Sequence, residues 1–522
     1  MTETITPAEV RLHLLTRQEI ALLDVREEAS FALSHPLFAS QISAGLVEIE
    51  ALDRLPRQQV LVVVYDDGEG LVDTAVRRLA ALGYRNTRIL QGGLKGWAAD
   101  GGELFQDVNS YSKAFGEVVE GRRHTPLLPA PELDAMLRAN ADVAVMDARR
   151  YDEYKVMSIP KGTSVPGAEL VLRAQALAPD PDTTIVVNCA GRTRSIIGAQ
   201  SLINAGLPNR IYALCNGTIG WTLAGLELEH GQSRCAPDVA EDARNAALER
   251  ARDVSYRAGV KVLTGEQVAL LAADATRTLY RFDVRTPEEY AAGHVPGFRS
   301  APGGQLVQET DMVAPVRGAR IVLWDNLGVR AHMSGSWLAQ MGWEVYVVEG
   351  RADEAAATGP WTPTLPSLPA VDLISVKELA QTLGSSQTIV VDLAPSTTHR
   401  SEHVPGARFA IRARLDAAIA ALPETADIVL TSPDAALATF AAADLETNRK
   451  VRVLKGGTAA WAAAGYPLEA GFFDALSPPD DIYKRPYVGT DNAAAQMQAY
   501  LDWEYGLVDQ LRRDGTHGFF VI

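Results

Sequence analysis

The segment AVMDARR, residues 144–150, and the segment TIVVNCAGRTRS, residues 184–195, decide the fold of this chain. Each contains a short apolar run of the kind that forms a fully buried strand. Asp147 ends the first run and Cys189 follows the second, and these two residues are 42 positions apart. A helical sequence comes after the cysteine. The pattern therefore predicts two strands of a parallel sheet, with a functional loop at the carboxyl end of the second strand.

The same pair of strands occurs four times along the chain. The first apolar strand of each pair ends in aspartate, at Asp24, Asp147, Asp283 and Asp392. The position just after the second strand holds Asp66, Cys189, Asp325 and Ser432. The separation is 42 residues in the first three pairs and 40 in the fourth, which indicates four tandem copies of one unit.

Further markers recur in the same order within each copy. The sequence HVPG occurs at residues 294–297 and 403–406. An Ala/Leu-rich helical stretch follows each second strand. A third strand then leads to a glycine turn, which precedes Trp97, Trp221 and Trp461 in three copies and reads VYVVEGR in the other. Strands that alternate with helices predict an α/β fold of four tandem domains, each a parallel sheet with helices on both faces.

Domain boundaries are expected in the less regular stretches, such as the Pro-rich segment GPWTPTLPSLPAV that starts at Gly359. We expect the four units at 1–105, 106–235, 236–362 and 363–470, followed by a C-terminal helical tail at 471–522. Tyr500, Trp503 and Tyr505 of the tail recur at near-helical spacing. This spacing favours a packing stripe over a binding site.

The composition is that of a soluble globular protein. The 522 residues are 47% hydrophobic, and the formal net charge is -16. An acidic chain disfavours nucleic acid and anionic membrane surfaces as partners, because both bind basic patches. We expect no signal peptide and no membrane span, since no apolar run reaches the ~20 residues that cross a bilayer. Only three cysteines are present. This sparse number fits a reducing compartment, so we expect a cytoplasmic protein.

The loop after the second strand of unit two has the properties of a reactive-cysteine site. It consists of Cys189, Ala190, Gly191, Arg192, Thr193, Arg194 and Ser195. The helix that follows presents unpaired amides and a partial positive charge, and the two arginines add full charges. Gly191 allows the backbone to curl so that several amides face one point. We therefore expect the pKa of the Cys189 thiol to fall below its ordinary value of about 8.5.

This loop predicts sulfur chemistry in two half-reactions. The amides and arginines would stabilise a thiolate or a persulfide and would bind an anionic donor such as thiosulfate. The thiolate attacks the outer sulfur of the donor, and a nucleophilic acceptor then removes that sulfur, so ping-pong kinetics are expected. Thiosulfate, a small persulfide and mercaptopyruvate are all candidate donors. Cyanide, a thiol or a sulfur-acceptor protein could be the acceptor. The participation of Cys215 and the oligomeric state are left open.

The strand with its DxR sequence, the HVPG loop, the cysteine loop and the glycine turn before tryptophan together resemble the rhodanese family, from residue 1 to about 470. The resemblance implies a five-stranded parallel sheet in each unit and sulfur transfer as the activity. By position it places the family's persulfide cysteine at Cys189 and its loop arginine at Arg194. Its DxR pair falls at Asp147 and Arg149, which would support the loop from beneath.

The chain departs from the family pattern at several positions. Asp66, Asp325 and Ser432 cannot form a persulfide, so units one, three and four are expected to be scaffold or gating copies. Residues of these types cap helix N-termini, and a carboxylate also replaces the missing thiolate charge. Unit two lacks the histidine of the family's HxPG loop, since residues 158–162 read SIPKG. Asp152 and Glu153 are expected at a solvated helix start.

Two other functions are compatible with parts of this pattern. A cysteine phosphatase would need its arginine at Cys-x5-Arg, whereas here the spacing from Cys189 to Arg194 is Cys-x4-Arg. A non-catalytic scaffold would explain why three units lack the cysteine, but it leaves the intact loop of unit two without a role. No metal-binding or nucleotide-binding motif is present, so we expect neither a metal nor another cofactor.

Overall fold

The strands that end in aspartate lie beside the strands that lead into the loops, and this pairing repeats in four sheets of the computed structural model. The structure describes residues 2–349, 356–383, 387–489 and 491–522. In unit two, Asp147 is the register partner of Asn188, the residue before Cys189. The first and second strands are therefore neighbours, and their carboxyl ends lie at the same edge of the sheet.

Unit one contains five strands in the order β1-β5-β4-β2-β3, all parallel. Its elements are β1 (Thr4–Ile5), α1 (Pro7–Leu15), β2 (Ile20–Asp24), α2 (Glu28–Leu33), β3 (Ala39–Gln41), α3 (Val47–Arg54), β4 (Leu61–Tyr65), α4 (Val72–Ala81), β5 (Thr87–Leu90) and α5 (Gly93–Ala99). The strand β4 is buried along its whole length, as its continuous apolar sequence predicts.

Unit two repeats this strand order as β6-β10-β9-β7-β8. Its elements are α6 (Ser110–Arg123), β6 (Leu127–Leu128), α7 (Ala130–Arg138), β7 (Val143–Asp147), α8 (Tyr151–Val156), β8 (Thr163–Ser164), α9 (Leu170–Leu177), β9 (Thr184–Asn188), α10 (Thr193–Asn204), β10 (Ile211–Leu214) and α11 (Gly217–Leu223). The segment that joins units one and two is not irregular. It forms the largely buried helix α6, which packs against α10.

Unit three has the order β11-β16-β15-β12-β13. Its elements are α12 (Glu241–Arg257), β11 (Lys261–Leu263), α13 (Gly265–Ala273), β12 (Leu279–Asp283), α14 (Pro287–Ala292), β13 (Arg299–Ser300), α15 (Gly303–Gln308), α16 (Thr310–Val313), β14 (Val316–Arg317), β15 (Arg320–Trp324), α17 (Val329–Gln340) and β16 (Glu344–Val348). The short β14 leaves this unit and joins the sheet of unit one, antiparallel to β2. Gly350 and Arg351, of the glycine turn predicted after β16, lie outside the described residues.

Unit four has the order β17-β21-β20-β18-β19, and the tail adds one long helix. The elements are β17 (Leu373–Ile374), α18 (Val376–Thr382), β18 (Thr388–Asp392), α19 (Ser396–Ser401), β19 (Arg408–Phe409), α20 (Leu415–Ala420), β20 (Asp427–Thr431), α21 (Ala436–Asp444), β21 (Val451–Leu454), α22 (Gly457–Ala463) and α23 (Ala494–Asp514). The predicted α/β fold of four parallel sheets with helices on both faces is confirmed, with β14 as an antiparallel addition to the first sheet.

The apolar cores show how the units are joined. One cluster runs through units one, two and three and includes Leu507 and Leu511 of α23. Unit four buries two clusters of its own. Across the boundary with unit one, both amino groups of the Arg412 guanidinium bind the Glu48 carboxylate, at 2.9 and 3.0 Å. Among the described residues, no helix combines the length and apolarity needed to cross a membrane.

Candidate active site

Cys189 lies in the turn between the buried strand β9 and the first residue of α10. Its side chain is almost fully enclosed, with a relative exposure of 2%. The thiol donates to Ser195 Oγ at 3.5 Å, and that hydroxyl donates in turn to the Arg192 carbonyl at 2.7 Å. The backbone amide of Ser195 also faces the sulfur and favours its ionised form. The helix start therefore surrounds the sulfur with polar groups, as a reactive cysteine requires.

The helix α11 holds the loop from behind. The backbone amide of Thr218 donates to the Cys189 carbonyl at 2.9 Å, and the amide of Ile219 donates to the Ala190 carbonyl at 3.0 Å. Gly217 has a φ of 53°, and a β-carbon there would lie 2.3 Å from the Cys189 carbonyl oxygen. Only glycine fits at this point. The main chain of the cysteine is thereby fixed before any substrate binds.

Asp147 and Arg149 lie beneath the loop. Arg149 Nε and Nη2 donate to the Asp147 carboxylate at 2.9 and 2.6 Å, and Asn188 Nδ2 donates to the same carboxylate at 3.1 Å. The pair is thus linked directly to the residue that precedes Cys189. Equivalent pairs occur in units one and three. In unit four, where Ala394 replaces the arginine, His399 Nδ1 is 2.8 Å from the Asp392 carboxylate.

Arg194 makes a two-pronged ion pair with Glu153, at 2.6 and 3.0 Å. Asp152 is exposed at the start of α8, as predicted. Glu153 also lies in the first turn of that helix, but the prediction that it is solvated is wrong, because its side chain turns toward the loop. Although burial acts to raise it, Arg194 and Arg149 lower the pKa of Glu153 to about 2. A partly buried carboxylate thus fixes the position of the loop arginine.

Arg192 does not contribute its charge to the sulfur as the sequence predicted. Its guanidinium turns away and binds the Glu117 carboxylate of α6, at 2.7 and 2.9 Å. It also donates to Tyr505 Oη at 3.0 Å and lies over the ring of that tyrosine, 4.2 Å from the ring centroid. Arg192 therefore ties the loop to two helices. No sequence motif indicates this role, because Glu117 and Tyr505 are distant from the loop along the chain.

The expected fall in the thiol pKa is also contradicted. Burial raises the pKa of Cys189 above its ordinary value, and the charge of Arg194 and the hydrogen bonds with Ser195 offset only part of this effect. The sequence predicted two arginine charges near the sulfur but could not show how deeply the cysteine is covered. The resting group is therefore a thiol, and the reaction requires that its proton be removed.

The covering comes from the tail. Ala190 and Ile219 share an apolar cluster with Tyr487, Met497 and Tyr500. A packing role for the tail aromatics was the favoured prediction, and Tyr500 does pack here. Its contact lies on the candidate site itself, however, which neither the spacing of the aromatics nor any motif indicated.

Gly191 has a different role from the one predicted. It does not adopt a positive φ to curl the loop. Instead, a β-carbon at this position would lie 3.2 Å from Tyr500 Cε1 and 3.3 Å from Glu504 Oε2. The glycine therefore allows α23 to approach the loop closely. Thr193, two residues after Gly191, packs against Gly116 of α6.

The positions equivalent to Cys189 hold side chains that accept hydrogen bonds from helix-start amides. The Asp325 carboxylate faces the amide of Ala331 at 3.4 Å, and Ser432 Oγ accepts from the amide of Ala438 at 3.3 Å. Asp66 accepts from the amide of Leu71 at 2.8 Å. These residues do not occupy the N-cap position itself, since their helices begin several residues later, but they do bind first-turn amides or the amide just before the helix.

The two remaining cysteines differ in their relation to the loop, since Cys215 precedes Asn216, which accepts a hydrogen bond from Arg192 at 3.3 Å. All three cysteines are free thiols. Cys215 lies half-buried after β10, and burial raises the pKa of its thiol while the charge of Arg192 opposes that change. Cys235 is exposed. Within the described ranges, no group of three or more His, Cys, Asp and Glu side chains could hold a metal ion.

A cavity of about 230 Å³ adjoins the loop, and Arg194 forms part of its wall. Arg149 and Arg150 from unit two and Arg485 from the tail also line it, as does Glu153. Tyr487 separates this cavity from a second one of about 180 Å³ beside α11. Asp152 and Glu309 line the cavity as well, so among the described residues four arginines face three carboxylates, and Tyr487 stands between this cavity and the neighbouring one.

Comparisons with known proteins agree with this architecture. The family model described as "Rhodanese-like domain" matches residues 6–100, 129–224, 266–354 and 375–464. The crystal structure of a thiosulfate sulfurtransferase from Pseudomonas aeruginosa is 54% identical, covers 100% of both chains and superposes with a TM-score of 0.98. A thiosulfate sulfurtransferase from Azotobacter vinelandii is 27% identical over 212 residues, which span 37% of this chain and 77% of that protein. The chain belongs to the rhodanese-like family and contains four copies of its domain.

Proposed function

We propose that the protein transfers sulfane sulfur from an anionic donor such as thiosulfate to a thiophilic acceptor, cyanide or a thiol, through a persulfide on Cys189. Its class, a rhodanese-type sulfurtransferase, follows from the similarity along the full length of the chain. The donor, the acceptor, the persulfide and the roles of the loop residues are the proposal.

The observation on which the proposal rests is the environment of Cys189 just before α10. Cys189 occupies the position at which Asp325 places a carboxylate against helix-start amides in unit three. In unit three the Asp325 carboxylate is held there by these amides together with Arg330, and in unit two the equivalent amides and Arg194 can stabilise a negative charge on sulfur once the thiol has lost its proton. A thiolate, and after it a persulfide anion, is the negative group that a cysteine supplies there.

The donor fits the cavity beside Arg194. Four arginines line that cavity beside three carboxylates, and an oxyanion such as the sulfonate end of thiosulfate forms strong hydrogen bonds with guanidinium groups. The outer sulfur of the donor would then point toward Cys189. In this arrangement Arg194 binds and orients the donor, while Asp147 and Arg149 hold the loop in place.

The reaction proceeds in two balanced steps. The Cys189 sulfur forms a bond to the outer sulfur of thiosulfate, and the S–S bond of thiosulfate breaks with its electron pair on sulfite. The acceptor then attacks the outer sulfur of the persulfide, and the Cys189 thiolate leaves. Such an exchange requires no metal or organic cofactor, and a sulfur-acceptor protein could replace the small acceptor in the second step.

The test measures sulfur on the protein and turnover together. After incubation with thiosulfate, the intact mass of the wild-type chain should increase by one sulfur atom, and addition of cyanide should remove it as thiocyanate. Cys189→Ser should show neither effect, whereas Cys235→Ser, at the exposed cysteine, should behave as wild type. Full turnover by Cys189→Ser, or sulfur carried on another residue, would show that the proposal is wrong.

A further inference from the structure

The Glu504 side chain projects from α23 onto the cysteine loop and is almost fully buried. Its Oε1 atom accepts a hydrogen bond from Tyr500 Oη at 2.8 Å. Its Oε2 atom is buried and has no hydrogen-bond partner in the part of the chain that the structure describes. That oxygen would lie 3.3 Å from a β-carbon on Gly191. A buried acceptor without a partner is costly, so its position against the loop calls for an explanation.

The other carboxylates near the loop are already engaged with arginines. Glu153 is paired with Arg194 and Glu117 is paired with Arg192. Asp147 is paired with Arg149. Glu504 has no ion pair within 4.0 Å among the described residues. Of the acidic groups around Cys189, it is therefore the one that can most readily exchange a proton.

The buried thiol needs such a partner. Cys189 is enclosed by the loop and the tail, and its side-chain hydrogen bond goes to Ser195 Oγ, a weak base. Attack on a sulfur donor requires the thiolate, so a base must remove the proton. Oε2 of Glu504 packs against the loop two residues from Cys189, and the charge of Glu504 acts on the thiol. From this placement, and resting on the function proposed above, we infer that Glu504 is a further catalytic residue: it takes the Cys189 proton and passes it to the leaving group.

Persulfide formation by this route conserves atoms and charge. The S–H bond of Cys189 breaks, the proton goes to the Glu504 carboxylate, and the sulfur forms a bond to the outer sulfur of thiosulfate. The S–S bond of thiosulfate breaks, and sulfite leaves with the electron pair and takes the proton from Glu504. The products are the persulfide anion and hydrogen sulfite, so the total charge is unchanged and the carboxylate is regenerated.

The surroundings of Glu504 suit this task. Burial raises the pKa of Glu504 to about 7, with Lys113 acting to lower it and Glu117 to raise it. The charged and titratable groups that act on it are Lys113 and Glu117 of α6, Arg192 and Cys189 of the loop and Tyr500 of its own helix. Tyr487 of the tail lies against Lys113 and Tyr500. A carboxyl group that titrates near neutrality can both accept and return a proton.

The decisive experiment is a single-turnover measurement of persulfide formation on the full chain with excess thiosulfate, followed by intact mass across a range of pH. The wild-type rate should fall as the pH drops below about 7, because the protonated carboxyl cannot accept the thiol proton. Glu504→Gln should be roughly 10²-fold slower at neutral pH and should lose that dependence. Asp509→Asn, on the exposed side of α23, should match the wild type in rate and profile.

A second variant keeps the test decisive if Glu504→Gln does not fold. Tyr500→Phe removes the hydrogen bond that favours the ionised carboxylate. It should therefore move the acidic limb of the rate profile to higher pH, which a purely structural tyrosine would not do. An unchanged profile in Tyr500→Phe, or a wild-type rate in Glu504→Gln, would overturn the role of Glu504 while leaving the persulfide on Cys189 intact. Absence of any persulfide in the wild type would instead contradict the proposed function.

Discussion

Units two and three contain the same loop with a different first residue. In each, an arginine five positions after that residue pairs with a glutamate six positions after the strand aspartate: Arg194 with Glu153, and Arg330 with Glu289. In each, the amide of the next residue faces the side chain that starts the loop. The scaffold of the site is therefore present twice, and only one copy holds a sulfur atom.

The difference lies in how the arginine charge is used. Arg330 is fully buried among three carboxylates, since it binds Glu289, Asp325 and Glu169, the last of these from unit two. Arg194 has one carboxylate, Glu153, and lines an open cavity. The arginine of unit three is therefore paired with three carboxylates, whereas the arginine of unit two is paired with one. Under the proposed function, this difference would let the loop of unit two bind a donor, whereas Arg330 of unit three links units two and three through Glu169.

The largest effect is expected when Cys189, the first residue of the loop of unit two, is replaced by aspartate, the residue at the equivalent position of unit three. Cys189→Asp should reduce turnover at least about 10³-fold, because the nucleophile is lost. The chain should stay folded, with a melting temperature within about 4 °C of the wild type, since backbone amides can donate hydrogen bonds to a carboxylate at this position. Thiocyanate formation and thermal unfolding measure the two effects.

The reciprocal substitution, which places a cysteine in the loop of unit three, tests the same difference between the two loops. Asp325→Cys should not restore turnover in the Cys189→Asp background, because Arg330 remains bound to Glu289 and Glu169. If unit three with a cysteine formed a persulfide, the number of carboxylates around the arginine would not be what separates the two loops.

The second effect concerns the arginine itself. Arg194→Met removes the positive charge that opposes the burial effect on Cys189, so the thiol should ionise at a higher pH than in the wild type. Persulfide formation should slow on the order of 10²-fold, as expected when one charged donor to a reacting group is removed. The pH dependence of alkylation by iodoacetamide reports the ionisation of the thiol. Arg192→Met should shift that dependence less, because Arg192 pairs with Glu117; an equal shift would show that both arginines act on the sulfur.

The repeated strands were predictable because buried parallel strands are continuous apolar runs, and three copies at a spacing of 42 residues and a fourth at 40 reinforced each other. The loop around Cys189 was also predictable, since its residues are consecutive. The partners of its side chains were not. Arg192 is bound by Glu117 and Tyr505, and Gly191 is covered by Tyr500 and Glu504, all of which the fold brings from other elements. No periodicity in α6 or α23 indicates which loop these helices will cover.

The same limitation explains the error in the thiol pKa. Charge near the sulfur could be counted along the loop, but burial depends on what packs above it. The covering residues Tyr487, Met497 and Tyr500 lie about three hundred positions further along the chain. The repeat pattern does not predict where the tail packs, because each repeat completes its own sheet without the tail.

The third effect is a pH dependence that comes from Glu153. Its pKa is lowered from an ordinary value of 4.5 to about 2 by the loop arginine, against the opposing effect of burial. The stabilisation from this carboxylate is therefore fully present above pH 4.5 and is lost as the pH falls toward 2. A shift of this size corresponds to roughly 3 kcal/mol.

Glu153→Gln removes that carboxylate, so the gap in stability between variant and wild type should narrow as the pH falls through this window. Thermal unfolding at a series of acidic pH values measures the gap. The exposed Glu132→Gln, on α7 of the same unit, provides the reference for removing a charge from the surface. A gap that stays constant down to pH 2 would mean that Glu153 and Arg194 are not coupled in solution.

The smallest effect is expected in unit four, where the side chain in the cysteine position is neutral. Ser432→Ala removes the acceptor of the Ala438 amide at the start of α21 and should cost about 1 kcal/mol, the usual value for a lost capping interaction. Since unit four buries its own apolar clusters, the loss should appear as earlier unfolding of that unit by calorimetry. Turnover at Cys189 should equal the wild-type rate. If turnover fell together with the stability of unit four, this copy would contribute to catalysis, and the division between one working loop and three supporting loops would have to be abandoned.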